Sequence, residues 1–161
     1  MDYQKILETV APCGLSCEKC FAFSDGEIKA HASALSELLG PNFHEYAKLF
    51  VYFNPKFENY PAFRELLEVL SKAYCRGCRA DVCLFEGCQV RSCVKEKGVN
   101  FCFECEEFPC KTTGMSGQLY EIWKRNNEMM KDLGVEQYYE RTKGLHRYPS
   151  ITESLRMNSE D

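Results

Sequence analysis

The sequence of 161 residues contains no long apolar stretch, no internal repeat and no low-complexity block. No segment approaches the roughly 18 consecutive apolar residues that a membrane-spanning helix requires. The first five residues include an aspartate and a lysine and do not begin an apolar signal sequence. We therefore expect a cytoplasmic protein with no membrane partner, in which cysteine thiols stay reduced.

Several signatures of common enzyme classes are missing as well. No glycine-rich loop of the kind that cradles phosphates is present, and no Ser, His and Asp arrangement stands out. Strand and helix patterns do not alternate around any cysteine pair, as they do in thioredoxin-type oxidoreductases. The sequence thus favours a non-catalytic role without deciding whether the protein is an enzyme, and it identifies no catalytic residue.

A basic patch is also lacking. The net charge is −4 at neutral pH. Between Cys75 and Lys111, six basic side chains are balanced by six acidic ones. Because nucleic-acid binding depends on a local excess of positive charge, we expect no nucleic-acid partner.

Cysteine is the residue that the sequence has in excess. Hydrophobic residues make up 45% of the chain, so a core can form without covalent staples, and an odd number of cysteines cannot all pair as disulfides. Three cysteines lie near the N-terminus and eight lie within one short segment. The eleven candidate ligands are Cys13, Cys17, Cys20, Cys75, Cys78, Cys83, Cys88, Cys93, Cys102, Cys105 and Cys110.

Three Cys-x-x-Cys pairs indicate metal binding. They are Cys17 with Cys20, Cys75 with Cys78, and Cys102 with Cys105. Such a turn places two thiolates at a separation that suits one tetrahedral ion. The eight cysteines of the second segment divide into two four-thiolate sites of the structural zinc type, either sequentially, with the division between Cys88 and Cys93, or in an interleaved order. Zinc binding contributes on the order of 10–16 kcal/mol, so this segment should need the metal to fold.

The N-terminal cluster has three cysteines and requires a fourth ligand. His31, His44, His146 or a cysteine shared with the second segment are the candidates, and a third zinc ion would then be bound. Cysteine ligation alone does not separate zinc from iron, so an iron–sulfur cluster is the alternative. The spacing of this cluster also matches radical S-adenosylmethionine enzymes, but a mostly helical chain of 161 residues does not suit the partial α/β barrel that those enzymes need.

The hydrophobic spacing predicts a mainly α protein: a small helical domain with a cysteine-rich, loop-dominated metal-binding lobe. Helices are predicted over about 26–39, 42–53, 61–74, 115–132 and 135–143, with a short one inside 86–97. Residues 1–149 form a single domain in this interpretation: a helical part at about 21–74, the cysteine-rich lobe at about 75–112, and C-terminal helices at about 113–148. No element is predicted over 1–12, and 150–161 form a polar tail.

The aromatic residues between 43 and 57 are predicted to pack in the helical core. The alternative is a ligand pocket built from Phe50, Tyr52, Phe53 and Phe57.

The cysteine motifs resemble those of an uncharacterised domain-of-unknown-function family common in anaerobic bacteria and archaea. Its opening Cys-Gly-Leu-x-Cys-x-x-Cys stands at residues 13–20 and its Cys-x-Gly-Cys at 75–78. A Cys-x-Ile-Arg-x-Cys element resembles 88–93, and the closing Cys-x-x-Cys-x-x-Phe-Pro-Cys stands at 102–110. Cys83 and Cys88 depart from the family, which often has Cys-x-x-Cys there. The family has no established activity, so the resemblance implies metal binding and leaves the role open.

Taken together, the residues indicate a zinc-knuckle protein with two or three mainly structural zinc ions. The expected role is a protein-interaction module, with another protein as partner. The alternative hypothesis is an iron–sulfur electron-transfer protein or a subunit of a redox enzyme.

Overall fold

A computed structural model of the chain describes residues 2–80 and 83–148. Within these ranges the protein forms seven α-helices and two short 3₁₀ helices, and apart from two isolated bridges it has no β-structure. The mainly α prediction is therefore confirmed. None of the helices in these ranges combines the length and the apolar character needed to cross a membrane. The predicted polar tail at 150–161 lies outside the described residues.

The chain divides into two compact units. We call Cys20–Arg76 the helical unit, and Met1–Lys19 together with Gly77–Asp161 the cysteine-rich unit.

The helical unit contains α2 (Glu27–Leu39), α3 (Phe43–Phe50), a 3₁₀ helix (Pro55–Asn59) and α4 (Tyr60–Ser71). These bounds agree with the predicted helices to within a few residues, because Gly40-Pro41 and Asn54-Pro55 end the periodic segments as expected. Helices α2 and α4 pack on each other. The Phe43 ring lies 5.0 Å from that of Tyr60.

Not all of the apolar side chains in this unit are buried. Phe50 and Phe57 pack edge to face at 5.5 Å, as a core interpretation predicts. Tyr46, Tyr52 and Phe53 are 57%, 89% and 79% exposed, so the prediction is wrong for these three residues. Tyr46 lies on an exposed side of α3, whereas Tyr52 and Phe53 follow α3, where the helical spacing that predicted their burial no longer applies.

The cysteine-rich unit contains α1 (Tyr3–Thr9), α5 (Val90–Lys97), a 3₁₀ helix (Cys102–Glu104), α6 (Gly117–Leu133) and α7 (Val135–Thr142). Its core lies where α1, α6 and α7 meet. That core consists of Ile6, Val10, Phe101, Met130, Val135, Tyr138 and Tyr139.

Helix α1 is not expected from the sequence pattern. Seven residues are too few for a helix that is stable by itself. Asp2 caps it by accepting a hydrogen bond from the backbone N–H of Gln4, and Ile6 is completely buried. Tertiary burial of its apolar face therefore stabilises α1. A segment of this length shows too little periodicity for the helix to be predicted from the sequence.

Candidate functional site

The loop at residues 13–17, which we call the cysteine loop, is fixed by backbone hydrogen bonds. The N–H of Cys17 donates to the carbonyl of Thr9 at 2.6 Å. The N–H of Ala11 donates to the carbonyl of Leu15 at 2.8 Å. These bonds fold the chain back after α1 and hold two cysteines of the predicted N-terminal cluster in one buried turn.

Gly14 lets the cysteine loop approach α6 closely. Its φ is +80°, and a Cβ at this position would lie 2.5 Å from the Cβ of Asn126. Residues other than glycine rarely adopt such a backbone conformation, and their Cβ atom would clash with Asn126 here. The Gly14 carbonyl accepts a buried hydrogen bond from the Tyr138 hydroxyl at 2.6 Å, which ties the loop to α7 as well.

Arg79 ties the chain just after Cys78 to other parts of the same unit. Its guanidinium donates to the carbonyls of Leu7 at 2.7 Å, Val10 at 2.6 Å and Asn100 at 2.7 Å. It also lies over the Phe101 ring, 4.9 Å from the ring centroid. A planar group with several fixed donors suits this task, since it satisfies three carbonyls at once.

Five cysteines of the cysteine-rich unit form what we call the first thiol cluster: Cys13, Cys17, Cys78, Cys83 and Cys88. The Cys78 thiol donates to the Cys17 sulfur, which lowers the pKa of Cys17 and raises that of Cys78. Cys78 interacts electrostatically with Cys13 and Cys83, and Cys88 interacts with Cys13, with Cys83 and also with Cys102. Burial raises the pKa of Cys13 to about 12 and also raises that of Cys88. Thiols from both sequence segments thus meet in one cluster.

Four further cysteines form the second thiol cluster. Cys93, Cys102, Cys105 and Cys110 line one cavity of about 20 Å³. Its other walls are mostly apolar and include Val90, Val94 and Phe108. Burial raises the pKa of Cys93, and it raises that of Cys102 to about 12. Burial therefore favours the protonated form of Cys93 and Cys102 at neutral pH.

Trp123 contacts the second thiol cluster from α6. Its side chain is 1% exposed, and its indole N–H makes no hydrogen bond of full geometry with any described group. The N–H faces the Cys102 sulfur closely enough to lower the pKa of that thiol, against the larger effect of burial. Asn127 joins α6 to the second 3₁₀ helix. Its side chain accepts a hydrogen bond from the N–H of Phe103 at 3.0 Å and donates one to the carbonyl of Trp123 at 3.0 Å.

The remaining two cysteines belong to the helical unit. Cys75 is buried and forms an isolated parallel bridge with Phe23. Its N–H donates to Ala22 at 2.8 Å, and its carbonyl accepts from Ser24 at 2.9 Å. Cys20 lies one turn before this bridge, where its carbonyl accepts from the N–H of Phe23 at 3.0 Å. The bridge thus brings both ends of the helical unit together, each with its cysteine.

The thiols gather without reaching metal-ligand spacing. Over residues 2–80 and 83–148, no group of three or more His, Cys, Asp or Glu side chains is arranged to hold a metal ion. None of the three histidines joins such a group in these ranges. His31 is exposed on α2, His44 contacts the Glu45 carboxylate at 2.8 Å, and His146 lines a separate cavity.

Sequence reasoning did not identify Arg79, Trp123 or Tyr138 as part of this site. Arg79 directly follows a Cys-x-x-Cys pair, and Trp123 is the only tryptophan of the chain. These two features of the sequence could have drawn attention to Arg79 and Trp123. Their roles depend on carbonyls and sulfurs that are distant in sequence and that only the fold brings near.

Comparison with known proteins identifies the family to which the chain belongs. No curated protein and no solved structure matches the chain. One family model, described as "Protein of unknown function (DUF3795)", matches residues 9–115. This range includes the cysteine loop and every cysteine of both thiol clusters. The chain therefore belongs to the DUF3795 family of proteins of unknown function.

Proposed function

We propose that the protein is a structural zinc protein in which the second thiol cluster binds one Zn²⁺ ion. The observation that supports this most directly is that four cysteines line a single small cavity. Cys93 comes from α5, Cys102 begins the second 3₁₀ helix, and Cys105 and Cys110 come from the loop that follows it. Four thiolates around one ion leave no open position, which is the arrangement of structural zinc sites.

The size of the cavity favours a single ion over an iron–sulfur cluster. A volume of about 20 Å³ holds roughly one water-sized sphere. A cluster of several irons and sulfides needs more room than this. Loading with zinc requires rotation of the cysteine side chains between staggered positions, since the sulfurs are not at ligand spacing without the ion.

Zinc also removes an unfavourable feature of the second thiol cluster. Burial disfavours free thiolates there, as the raised pKa of Cys102 indicates. A divalent cation compensates their charge, and its binding releases the thiol protons. The indole N–H of Trp123 then has an anionic sulfur to donate to, in place of a neutral thiol.

The first thiol cluster is the second part of the proposal. Cys17 and Cys78 are already in contact, and Cys13, Cys83 and Cys88 are near them. These five thiols offer more than the four that a second zinc ion needs. Cys20 and Cys75 stay candidate ligands through their Cys-x-x-Cys pairing with Cys17 and Cys78 in the sequence.

The role that we propose for this zinc-stabilised protein is to bind another protein through the helical unit. Leu38, Leu49 and Leu66 are 85%, 67% and 66% exposed, and Tyr52 and Phe53 are still more exposed than Leu49. Scattered exposed apolar residues are ordinary, whereas a contiguous apolar surface is typical of a site that binds a partner, and we propose that these five side chains contribute to such a surface. Zinc has a purely structural task in this account.

Elemental analysis of protein purified without air, together with its visible spectrum, tests the proposal. We expect about two zinc ions per chain and no visible absorbance, since zinc has a filled d shell. Iron with acid-labile sulfide would overturn the zinc assignment in favour of electron transfer. Protein that folds and contains no metal would overturn both.

A pair of neighbouring variants locates the ion. Cys105→Ser should lose about one zinc ion per chain, because serine is a poor zinc ligand. Glu106→Gln is the matched control, since Glu106 is exposed and adjacent in sequence, and it should retain the full zinc content. Equal zinc content in the two variants would show that the ion does not bind at the second thiol cluster.

A further inference from the structure

A second, larger cavity lies in the cysteine-rich unit, and no cysteine is among its lining residues. Its volume is about 90 Å³. Three parts of the chain line it: the cysteine loop, helices α6 and α7, and the segment that follows α7. Gly14, Leu15 and Ser16 are the residues that the cysteine loop contributes, between Cys13 and Cys17.

The segment after α7 is held in place by two cations. Lys19 donates to the carbonyls of Lys143 and Leu145, the latter at 2.7 Å. Arg147 donates to the carbonyl of Ser16. The cavity is therefore bounded on this side by chain that is hydrogen-bonded to the cysteine loop region and is part of the folded unit.

Positive charge predominates around the cavity. Arg125, Lys143 and Arg147 line it, whereas Glu18 is the single carboxylate in its described lining. Arg125 and Arg147 are half-buried. The chain as a whole carries a net charge of −4, so this local reversal of sign is specific to the cavity.

Ser16 supplies an independent sign of a ligand. Ser16 lines the cavity, and its hydroxyl oxygen is buried and makes no hydrogen bond with any group in the described ranges. A buried hydroxyl without a partner is unfavourable by about 1–3 kcal/mol. A bound acceptor would satisfy it.

The volume sets the class of ligand. A cavity of about 90 Å³ takes several water molecules. That is enough for a phosphate or a short carboxylate, and too little for a nucleotide.

We propose that this cavity binds a small oxyanion, held by the guanidinium groups of Arg125 and Arg147 and by the Ser16 hydroxyl. Guanidinium groups match the planar pairs of oxygens that phosphate and carboxylate present. The Ser16 hydroxyl adds one donor from the cysteine loop. No cysteine lines the cavity, although Arg147 also lies near Cys13 and Cys17 of the first thiol cluster.

Titration of the metal-loaded full chain, followed by amide chemical shifts in NMR spectra, tests this site. Inorganic phosphate and acetate are added separately at constant pH and ionic strength, with chloride as the reference salt. We expect saturable shifts of the Leu15 and Ser16 amides with one of the two oxyanions. Saturation by phosphate alone assigns the site to phosphate groups, and saturation by acetate alone assigns it to carboxylates.

Variants separate this binding from general salt effects. Arg125→Gln should weaken the binding about tenfold or more, and Ser16→Ala about threefold to tenfold. Lys124→Gln is the matched control: it removes one positive charge from the same helix at a residue that pairs with Glu128 and does not line the cavity.

The outcomes are distinct. Unchanged affinity in folded Arg125→Gln or Ser16→Ala protein overturns the proposal, as do linear, unsaturated shifts with both oxyanions. If Arg125→Gln does not fold, the Ser16→Ala result decides. Zinc content measured on each sample distinguishes a failure of this inference from a failure of the zinc proposal.

Discussion

Tyr138 donates its hydroxyl proton to the carbonyl oxygen of Gly14 at 2.6 Å, across 124 residues of sequence. The bond is buried and joins α7 to the cysteine loop. It links two features of the cysteine-rich unit: the core where α1, α6 and α7 meet, and a loop whose conformation depends on that core.

Removal of this hydroxyl should destabilise the protein moderately. Tyr138→Phe retains the ring and leaves the Gly14 carbonyl without its buried donor, which costs about 1–3 kcal/mol. Denaturant unfolding monitored by circular dichroism measures the effect. Tyr52→Phe is the control, since Tyr52 is 89% exposed, and its free energy of unfolding should match that of the wild type. Equal stabilities of the two variants would contradict a stabilising role for this bond.

Stability should also fall at alkaline pH through the same residue. Burial raises the pKa of Tyr138, whereas tyrosine in an unfolded chain titrates near about 10. Above that pH the unfolded state binds fewer protons than the folded state. The contribution of Tyr138 is thus complete below about pH 10 and is lost as the pH rises through its folded-state pKa. The free energy of unfolding of Tyr138→Phe should decline less between pH 9 and 11 than that of the wild type, and parallel curves would count against this account.

Two glycines with the same φ separate backbone strain from steric contact. Gly14 has φ +80° and Gly134 has φ +81°, but a Cβ at Gly134 would meet nothing within 4 Å. Gly134→Ala should cost about 1–3 kcal/mol for its backbone conformation. Gly14→Ala should cost about 1–3 kcal/mol more, since its Cβ would overlap the side chain of Asn126. Thermal and denaturant unfolding give both values, and equal losses would mean that the close approach is not sterically important.

Much of the fold follows from local sequence patterns. Helices α2 to α7 could be predicted to within a few residues, because most of them end at or near a glycine or proline. Helix α1 could not, because seven residues give little periodic signal and its stability comes from the burial of Ile6. The exposure of Tyr52 and Phe53 was not predictable either, since burial depends on which neighbouring elements pack there.

The grouping of the thiols required the fold. Spacing identified eleven cysteines as candidate ligands and allowed several partitions. The structure gathers Cys93, Cys102, Cys105 and Cys110 around one cavity, which is one half of the sequential partition. The other half is not reproduced as such, because Cys13 and Cys17 join Cys78, Cys83 and Cys88. Contacts between cysteines that are some sixty residues or more apart cannot be predicted from the local spacing of the cysteines.

Adjacent leucines of α4 test the division between core and surface in the helical unit. Leu67 is 6% exposed and Leu66 is 66% exposed. Leu67→Ala should reduce the free energy of unfolding by about 2–5 kcal/mol through the cavity that it leaves. Leu66→Ala should change it by less than about 0.5 kcal/mol, as surface substitutions do. A large loss in Leu66→Ala would mean that this side chain is covered in solution, for example by a second copy of the chain.

Trp123→Phe tests whether the indole N–H acts on the second thiol cluster. The phenyl ring can keep the edge-to-face contact with Phe108 and the tilted contact with Tyr120, whose ring centroids each lie 5.1 Å from that of Trp123. The variant loses the donor that faces the Cys102 sulfur. Because donors of this kind stabilise a metal-bound thiolate, zinc affinity measured by competition with a chelator should fall about 10-fold to 100-fold.

The control for this prediction is Tyr120→Phe, which removes a hydroxyl beside Trp123 and leaves the indole N–H in place. Its zinc affinity should equal that of the wild type. Circular dichroism of both zinc-loaded variants establishes that each is folded before the affinities are compared. If folded Trp123→Phe protein binds zinc as tightly as the control, the N–H does not act on a metal-bound Cys102. The burial of Trp123 would then serve only the packing of α6 against the second 3₁₀ helix.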